Sequence, residues 1–291
     1  MSKILVTGAT GGLGSAVVNF LLEKTAASNI SVLVRDAAKV ETLKEKGVNI
    51  VVGDYSDIDS LIAAFQGIDK LYFVSGSDVQ HRLAQQENVV KAAVAAGVKH
   101  VIYTSFQRKN ETETSPIVFV AKSHIQTEEW LKASGLNYTI LKHTLYADIL
   151  PLFIGGQVLE TGVIYQPAGD GKTAFALRTD MAEAGANILT SEGHENKIYE
   201  ITGAKTYSYQ DIAAIISSIT SKQIVYVSPS VEEFSKTLTE AGVPAEYIGL
   251  FAGFSGAIKE GEFDEVSTDL ATLLGRTPTS LETYLQGVYG K

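Results

Sequence analysis

Apolar residues in this chain come in short unbroken runs, separated by longer stretches with helical spacing. The runs KILVT, ISVLVR, VNIVVGD, KLYFVS, KHVIYTS and LNYTILK are rich in Val, Ile and Leu and lack polar alternation. That pattern suits strands buried on both faces. Between them, GSAVVNFLLEKT, IDSLIAAFQG and QQENVVKAAVAAG gather apolar residues on one helical face, with Gly67 and Gly97 where helix C-caps belong. Strand–helix units in succession predict an α/β fold, a Rossmann-type doubly wound parallel sheet. From about Pro151 the rhythm changes. The stretch GGQVLETGVIYQPAGDGKTAFALRTD is Gly-rich and reads as hairpin and loop. DMAEAGANILTSEG and YSYQDIAAIISSIT read as helices, KIYEIT and QIVYVS as strands, and Val231 to Gly290 as mostly helical. The expected division is a doubly wound domain over residues 1–150, rejoined by a strand at 195–203. A smaller, mixed α/β lobe over 151–291 should cover the carboxyl ends of the strands, where such folds bind ligands.

The bulk composition narrows the function classes. With 291 residues, 45% of them hydrophobic, the chain is long enough for a full core. A net charge of −9 argues against nucleic acid and anionic membranes as partners. The absence of cysteine removes disulfides, thiol nucleophiles and cysteine metal sites, and no metal is expected. The opening MSKILVTGAT runs straight into a strand and turn, so no signal peptide is expected. No apolar run has the length of a membrane span, and a cytoplasmic protein is the default expectation.

The candidate chemistry starts at ILVTGATGGLGSAV, which places Gly8, Gly11 and Gly14 between the first strand and the first helix. Gly8 suits a tight turn, Gly11 a close approach of backbone to a pyrophosphate, and Gly14 the packing of helix on strand. With Ala9, Thr10, Gly12 and Leu13 they form the expected phosphate cradle, backed by the N–H donors of the helix N-terminus. At the end of the second strand, SVLVRDAAK offers Arg35 to a 2′-phosphate, with Lys39 in support. Asp36 is the alternative, an acid for the ribose of NAD. The expected cofactor is NADPH, with NADH binding at lower affinity. Asp54 is a candidate acceptor for the adenine amino group and Tyr55 a flank for its ring, while Ser56 or Asp57 suits a helix cap. Ser75, Gly76 and Ser77 follow the fourth strand, where backbone can run beside the cofactor.

The stretch NYTILK contains Tyr138-x-x-x-Lys142, the spelling of the short-chain dehydrogenase catalytic pair. It falls in a predicted strand, where residues four apart are about 13 Å from each other. The pair needs the helical separation of about 6 Å. The helix that should carry it, IVFVAKSHIQTEEWLKASG, has no tyrosine but offers Lys122 and His124.

VTGATGGLGSAVV, LVRDAAK, GDYSD, AAGVKHVIYTS, SHIQTEEWLKASGLNYTILKHTLYADILP, PAGDGKTAFALRTDMA, KIYEITG and TPTSLETYL together span almost the whole chain. In them the chain resembles the NmrA-like branch of atypical short-chain dehydrogenases, and within it the bacterial quinone and triphenylmethane dye reductases. Members of this branch place a lysine in the catalytic helix, eleven residues before the Gly of the next turn. Counted from Gly135 this lands on His124, and the quinone reductases are similar in carrying histidine there. The resemblance further implies that Lys142, His143, Thr144, Leu145 and Arg178 line the cofactor; for Arg178 the alternatives are a phosphate counter-charge and an ordinary salt bridge with Asp180. Tyr72, Tyr146, Phe153 and Phe175 are candidates for an acceptor pocket or for plain core. The implied activity is NADPH-dependent hydride transfer to a quinone-like acceptor, with a homodimer as the candidate assembly. The rival expectation is an NmrA-type NAD(P)-sensing regulator without turnover.

A missing tyrosine fits that chemistry. Ketone reduction forms a strongly basic alkoxide and needs a proton donor. Hydride addition to a quinone forms a phenolate, whose conjugate acid ionises near pH 10 like tyrosine. Solvent or a weak donor then suffices.

Overall fold

The computed structural model describes residues 2–290. Seven parallel strands form the main sheet: β1 (Ile4–Val6), β2 (Ile30–Val34), β3 (Asn49–Val52), β4 (Lys70–Phe73), β5 (His100–Phe106), β6 (Asn137–His143) and β7 (Lys197–Ile201). Their order is β3-β2-β1-β4-β5-β6-β7. Val6 of β1 lies opposite Val32 on one side and Tyr72 on the other. Strand order therefore reverses between β1 and β4, and a crevice opens there at the carboxyl ends.

Helices cover both faces, which is why the strands carry no polar alternation. On one face α1 (Gly12–Lys24) buries Val17, Val18 and Leu21 with Met181, Ile188 and Leu189 of α5 (Arg178–Thr190). On the other, α2 (Ile58–Phe65), α3 (Arg82–Ala95) and α4 (Val118–Ala133) pack Leu61, Phe65, Val89, Ala93 and Leu131 against Leu71, Phe73 and Tyr103. Each fully buried Leu or Phe contributes about 1.5–3 kcal/mol through removal from water. A third cluster fills the second lobe, where α6 (Tyr209–Thr220), α7 (Val231–Glu240), α8 (Ala245–Lys259) and α9 (Leu281–Tyr289) surround two small sheets.

One predicted element is different. Val163–Tyr165 and Lys172–Thr173 do not pair as a hairpin. The first runs parallel to Val225–Val227 and the second antiparallel to Tyr207–Ser208. The cause is the buried Gln166 between them. Its amide reaches the Phe153 carbonyl, and its Oε1 accepts from Ser255 Oγ of α8 at 2.8 Å. Tied there to α8, the chain runs on, and each strand takes its partner from further along the sequence. Among the described residues no helix is long and apolar enough to cross a membrane.

Candidate functional site: a cavity across the strand ends

The glycine loop joins β1 to α1 as the spacing predicts. Gly8 has φ +62°, a conformation side chains disfavour. A Cβ on Gly14 would sit 2.4 Å from the Gly8 carbonyl oxygen, so only glycine lets α1 approach this closely. Gly11 caps α1 with no side-chain hydrogen bond, which leaves the first-turn N–H groups open to a ligand.

A cavity of about 570 Å³ runs from this loop across the strand ends. From β2 to β6 is four strand spacings, about 19 Å. At one end it is lined by Gly8, Thr10, Gly11, Gly12, Leu13, Gly14, Arg35, Asp54 and Tyr55, and along the middle by Ser75, Gly76 and Ser77. Ala9 is buried beneath the loop. Arg35 is exposed and has no hydrogen bond or ion pair with any described residue. Asp36 is occupied: it accepts from Ala38 N at 3.0 Å and caps a short 3-10 turn that holds Lys39. The sequence alternatives at Asp54 and Asp57 resolve into separate roles. Asp57 caps α2 through Asp59 N and Ser60 N, and Asp54 accepts from Ser56 N at 2.7 Å while still lining the cavity. Tyr55 donates its hydroxyl to Val74 O at 2.8 Å, and its ring stands edge-on to Phe73.

The other end is apolar and aromatic, walled by Phe106, Val120, Leu145, Tyr146, Ile149 and Phe254. His124 of α4 belongs to this wall and is 5% exposed. Its ring stacks on Phe106 at 5.9 Å. Its Nδ1 is 2.7 Å from the Tyr103 hydroxyl. Gln86 Nε2 donates to that hydroxyl at 3.1 Å, and the Gln86 carbonyl is held by Thr127 Oγ1 at 2.7 Å. Gln86 donating to it leaves the Tyr103 proton available to Nδ1, and in that tautomer Nε2 carries the proton of the neutral ring. Burial above all, then the charges of Arg82 and Arg108, hold the His124 pKa well below its usual value. Arg108 is itself held bidentate by Glu128, at 2.9 and 3.1 Å, one helical turn beyond His124.

Several expected residues lie elsewhere. Lys122 is 66% exposed in its side chain and pairs with Glu113 at 3.3 Å. Two residues from His124 on a helix is a rotation of about 200°, which turns Lys122 to the opposite face. Lys142 pairs with Glu200 of β7 at 3.3 Å and does not line the cavity. His143 is fully buried with neither nitrogen hydrogen-bonded, and burial pushes its pKa down to about 3. Thr144 and Leu145 do reach the cavity. Tyr138 and Lys142 both lie in β6, with the extended separation that rules out a catalytic pair. Arg178 lies over the loop, close enough that a Cβ on Gly12 would be 2.6 Å from its Nη1. Its partner is Asp148 rather than Asp180, and its guanidinium sits 5.5 Å from the Tyr146 ring centre. Asp180 is taken by Arg276 and Thr279. Of the four aromatic candidates Tyr146 lines the cavity, Tyr72 and Phe175 are core, and Phe153 packs edge-on to Phe251 and Phe254. Phe106, Ile149, Phe254, Tyr103 and Arg82 were not singled out by the sequence. Position at the carboxyl end of β5, for Phe106, was the one available signal.

A parallel sheet with a strand-order reversal, a glycine loop heading α1 and a cavity across the strand ends define a dinucleotide-binding protein of the Rossmann class. The chain belongs to the NmrA-like family, whose model matches residues 1–285. It is 38% identical over 279 residues to quinone oxidoreductase 2 of Escherichia coli K12, covering 96% of each chain. Among solved structures, Citrobacter sp. triphenylmethane reductase complexed with NADP(H) superimposes with a TM-score of 0.90 at 37% identity, over 98% of this chain and 99% of that one. The NADPH-dependent quinone oxidoreductase of Escherichia coli complexed with NADPH gives 0.90 at 35% identity, over the same shares, 98% and 99%.

Proposed function

We propose that the protein is an NADPH-dependent reductase that transfers hydride to a quinone or a similarly electron-poor conjugated acceptor. One observation carries the choice of acceptor. No lysine is among the described residues lining the cavity, and the His124 imidazole in its aromatic wall is kept neutral by burial. Tyr146 also faces the cavity, but burial pushes its phenol up to about 12. Without a lysine beside it, that phenol is a poor acid at neutral pH. Such a site suits an acceptor that leaves a phenolate rather than an alkoxide. The known binding of NADP(H) by two relatives supports the cofactor assignment.

The residues fit that cofactor. The open N–H groups of α1 and the space kept free at Gly11 accept a pyrophosphate, Arg178 lies across the same loop, and unpartnered Arg35 suits a 2′-phosphate. This favours NADPH over NADH. When bound, NADPH supplies the hydride. The apolar wall of Phe106, Ile149 and Phe254 holds a flat acceptor and excludes water, which is catalysis by proximity. His124 Nε2–H orients the acceptor oxygen.

The test is NADPH oxidation with para-benzoquinone, a naphthoquinone, a cationic dye and a matched cyclic ketone. Quinone turnover without ketone turnover is expected. Equal turnover of quinone and ketone would refute the donor argument. Tight NADPH binding without turnover of any acceptor would place the protein among the NAD(P)-sensing regulators.

A further inference from the structure

Arg82 opens α3 and lines the cavity at the end that holds His124. It is 7% exposed, and no described residue gives its guanidinium a hydrogen bond or an ion pair. Its Nε is buried with no acceptor at all. The neighbouring acid, Asp78, is already used: its carboxylate accepts from His81 N at 3.2 Å and pairs with His81 Nδ1 at 2.9 Å. Arg82 also stands at the positive end of the α3 dipole, where a cation is disfavoured. Burial lowers its pKa, but a guanidinium remains charged at neutral pH. Asp78 acts on Arg82 only at a distance, and a buried cation without a hydrogen-bonded partner, at the positive end of a helix, costs stability. The other cavity arginines differ: Arg178 is held by Asp148, and Arg35 lies at the far end, just after β2.

We propose that Arg82 is the anion-binding group of the acceptor site, receiving the oxygen on which negative charge appears when an electron-poor carbonyl acceptor takes up hydride. This rests on the reductase reading. The balance is simple. A quinone gains one hydride, a hydrogen nucleus with two electrons, as NADPH becomes NADP⁺. The product is a hydroquinone monoanion, and one proton from solvent completes the hydroquinone. A cation fixed in a water-poor wall stabilises that monoanion more than the neutral quinone, so it lowers the barrier rather than merely tightening binding. Anionic acceptors gain affinity from the same charge, and cationic dyes are repelled by it.

The first test needs no cofactor. Para-nitrophenol, whose phenol and phenolate absorb differently, is titrated with pH on the protein. In the wild type the bound probe should ionise about one pH unit lower than the free probe. That shift should vanish in Arg82→Gln and survive in part in Arg82→Lys. Since the wild-type cation has no partner, Arg82→Gln should melt no lower than wild type. NADPH affinity, from fluorescence titration, should not change, while kcat/KM for para-benzoquinone falls about 10²-fold. A probe that ionises on the wild type as it does in solution overturns the proposal. So does a variant whose NADPH affinity falls as far as its turnover, because Arg82 then serves the cofactor. A wild type that shifts the probe but reduces no quinone keeps the anion site and sinks the reductase reading alone.

Discussion

Tyr103→Phe tests how His124 is set. The substitution deletes one oxygen from a fully buried position on β5. Gln86 Nε2 keeps Ser75 Oγ at 2.8 Å, so it is not orphaned. His124 Nδ1 is, since the Tyr103 hydroxyl at 2.7 Å is its partner. Leaving a buried acceptor unsatisfied costs about 1–3 kcal/mol of stability. The ring can avoid part of that cost by moving its proton to Nδ1, which turns Nε2 from donor to acceptor. A lost bias of about 1 kcal/mol changes the tautomer ratio by a factor of about 5. The expected result is a kcat for quinone roughly 3- to 10-fold below wild type with NADPH affinity intact, a smaller loss than the roughly 10- to 100-fold expected for His124→Ala. Nitrogen NMR of labelled histidine reads the tautomer directly. Wild-type kcat together with an unchanged Nε2–H signal would refute the reasoning.

Other outcomes follow from the same geometry. Arg35→Ala should weaken NADPH binding by about 1.5–3 kcal/mol, one to two decades in Kd, and leave NADH nearly unchanged; equal wild-type affinities for the two cofactors would contradict it. Gly14→Ala drives a Cβ to 2.4 Å from the Gly8 oxygen, so a loss of at least about 2 kcal/mol in chemical denaturation and a collapse of cofactor binding are expected. Tyr138→Phe should retain most of its turnover, and a drop of about 10³-fold in kcat in a folded variant would restore the strand pair. Burial depresses the folded-state pKa of both His124 and His143, the latter to about 3, against about 6.5 for an unfolded histidine. Below about pH 6.5 the unfolded chain binds more protons at these sites, so their contribution to stability is whole above that pH and falls as pH drops towards 3. For the same reason the rate with quinone should be flat from about pH 6 to 8; a titration step near 6.5 would show a charged His124.

The six leading strands and the glycine loop were readable because their signal is local. An unbroken apolar run can only be buried on both faces, and a glycine spacing encodes a turn. What the sequence hid is non-local. The Tyr103–His124 contact joins a strand to a helix 21 residues away. The ion-pair partner of Arg178 is 30 residues upstream, at Asp148, and not the neighbouring Asp180 that the sequence offered as the alternative. Lys122 and His124 were both candidates on paper, His124 by its count from Gly135, and the helical rotation places them on opposite faces. Arg82 was not singled out at all, since nothing in its own element announces that it is buried. The absent hairpin turned on Gln166, a polar residue that composition places on the surface.

The chain leaves the main sheet after β6 and comes back twice, as α5 beside α1 and as β7 beside β6. The lobe is thus sewn into the sheet rather than hung from it by a linker. Phe254 and Ile149 enter the cavity from the sewn-in part, while the glycine loop and Arg35 come from the strands. Part of the aromatic wall and the glycine loop therefore answer to different stretches of sequence, although they share one cavity, while Phe106 and His124 come from the strand-and-helix half. Substitutions in the wall can alter which molecule is reduced without disturbing the reductant, and a lineage built on this frame can explore new acceptors one wall residue at a time.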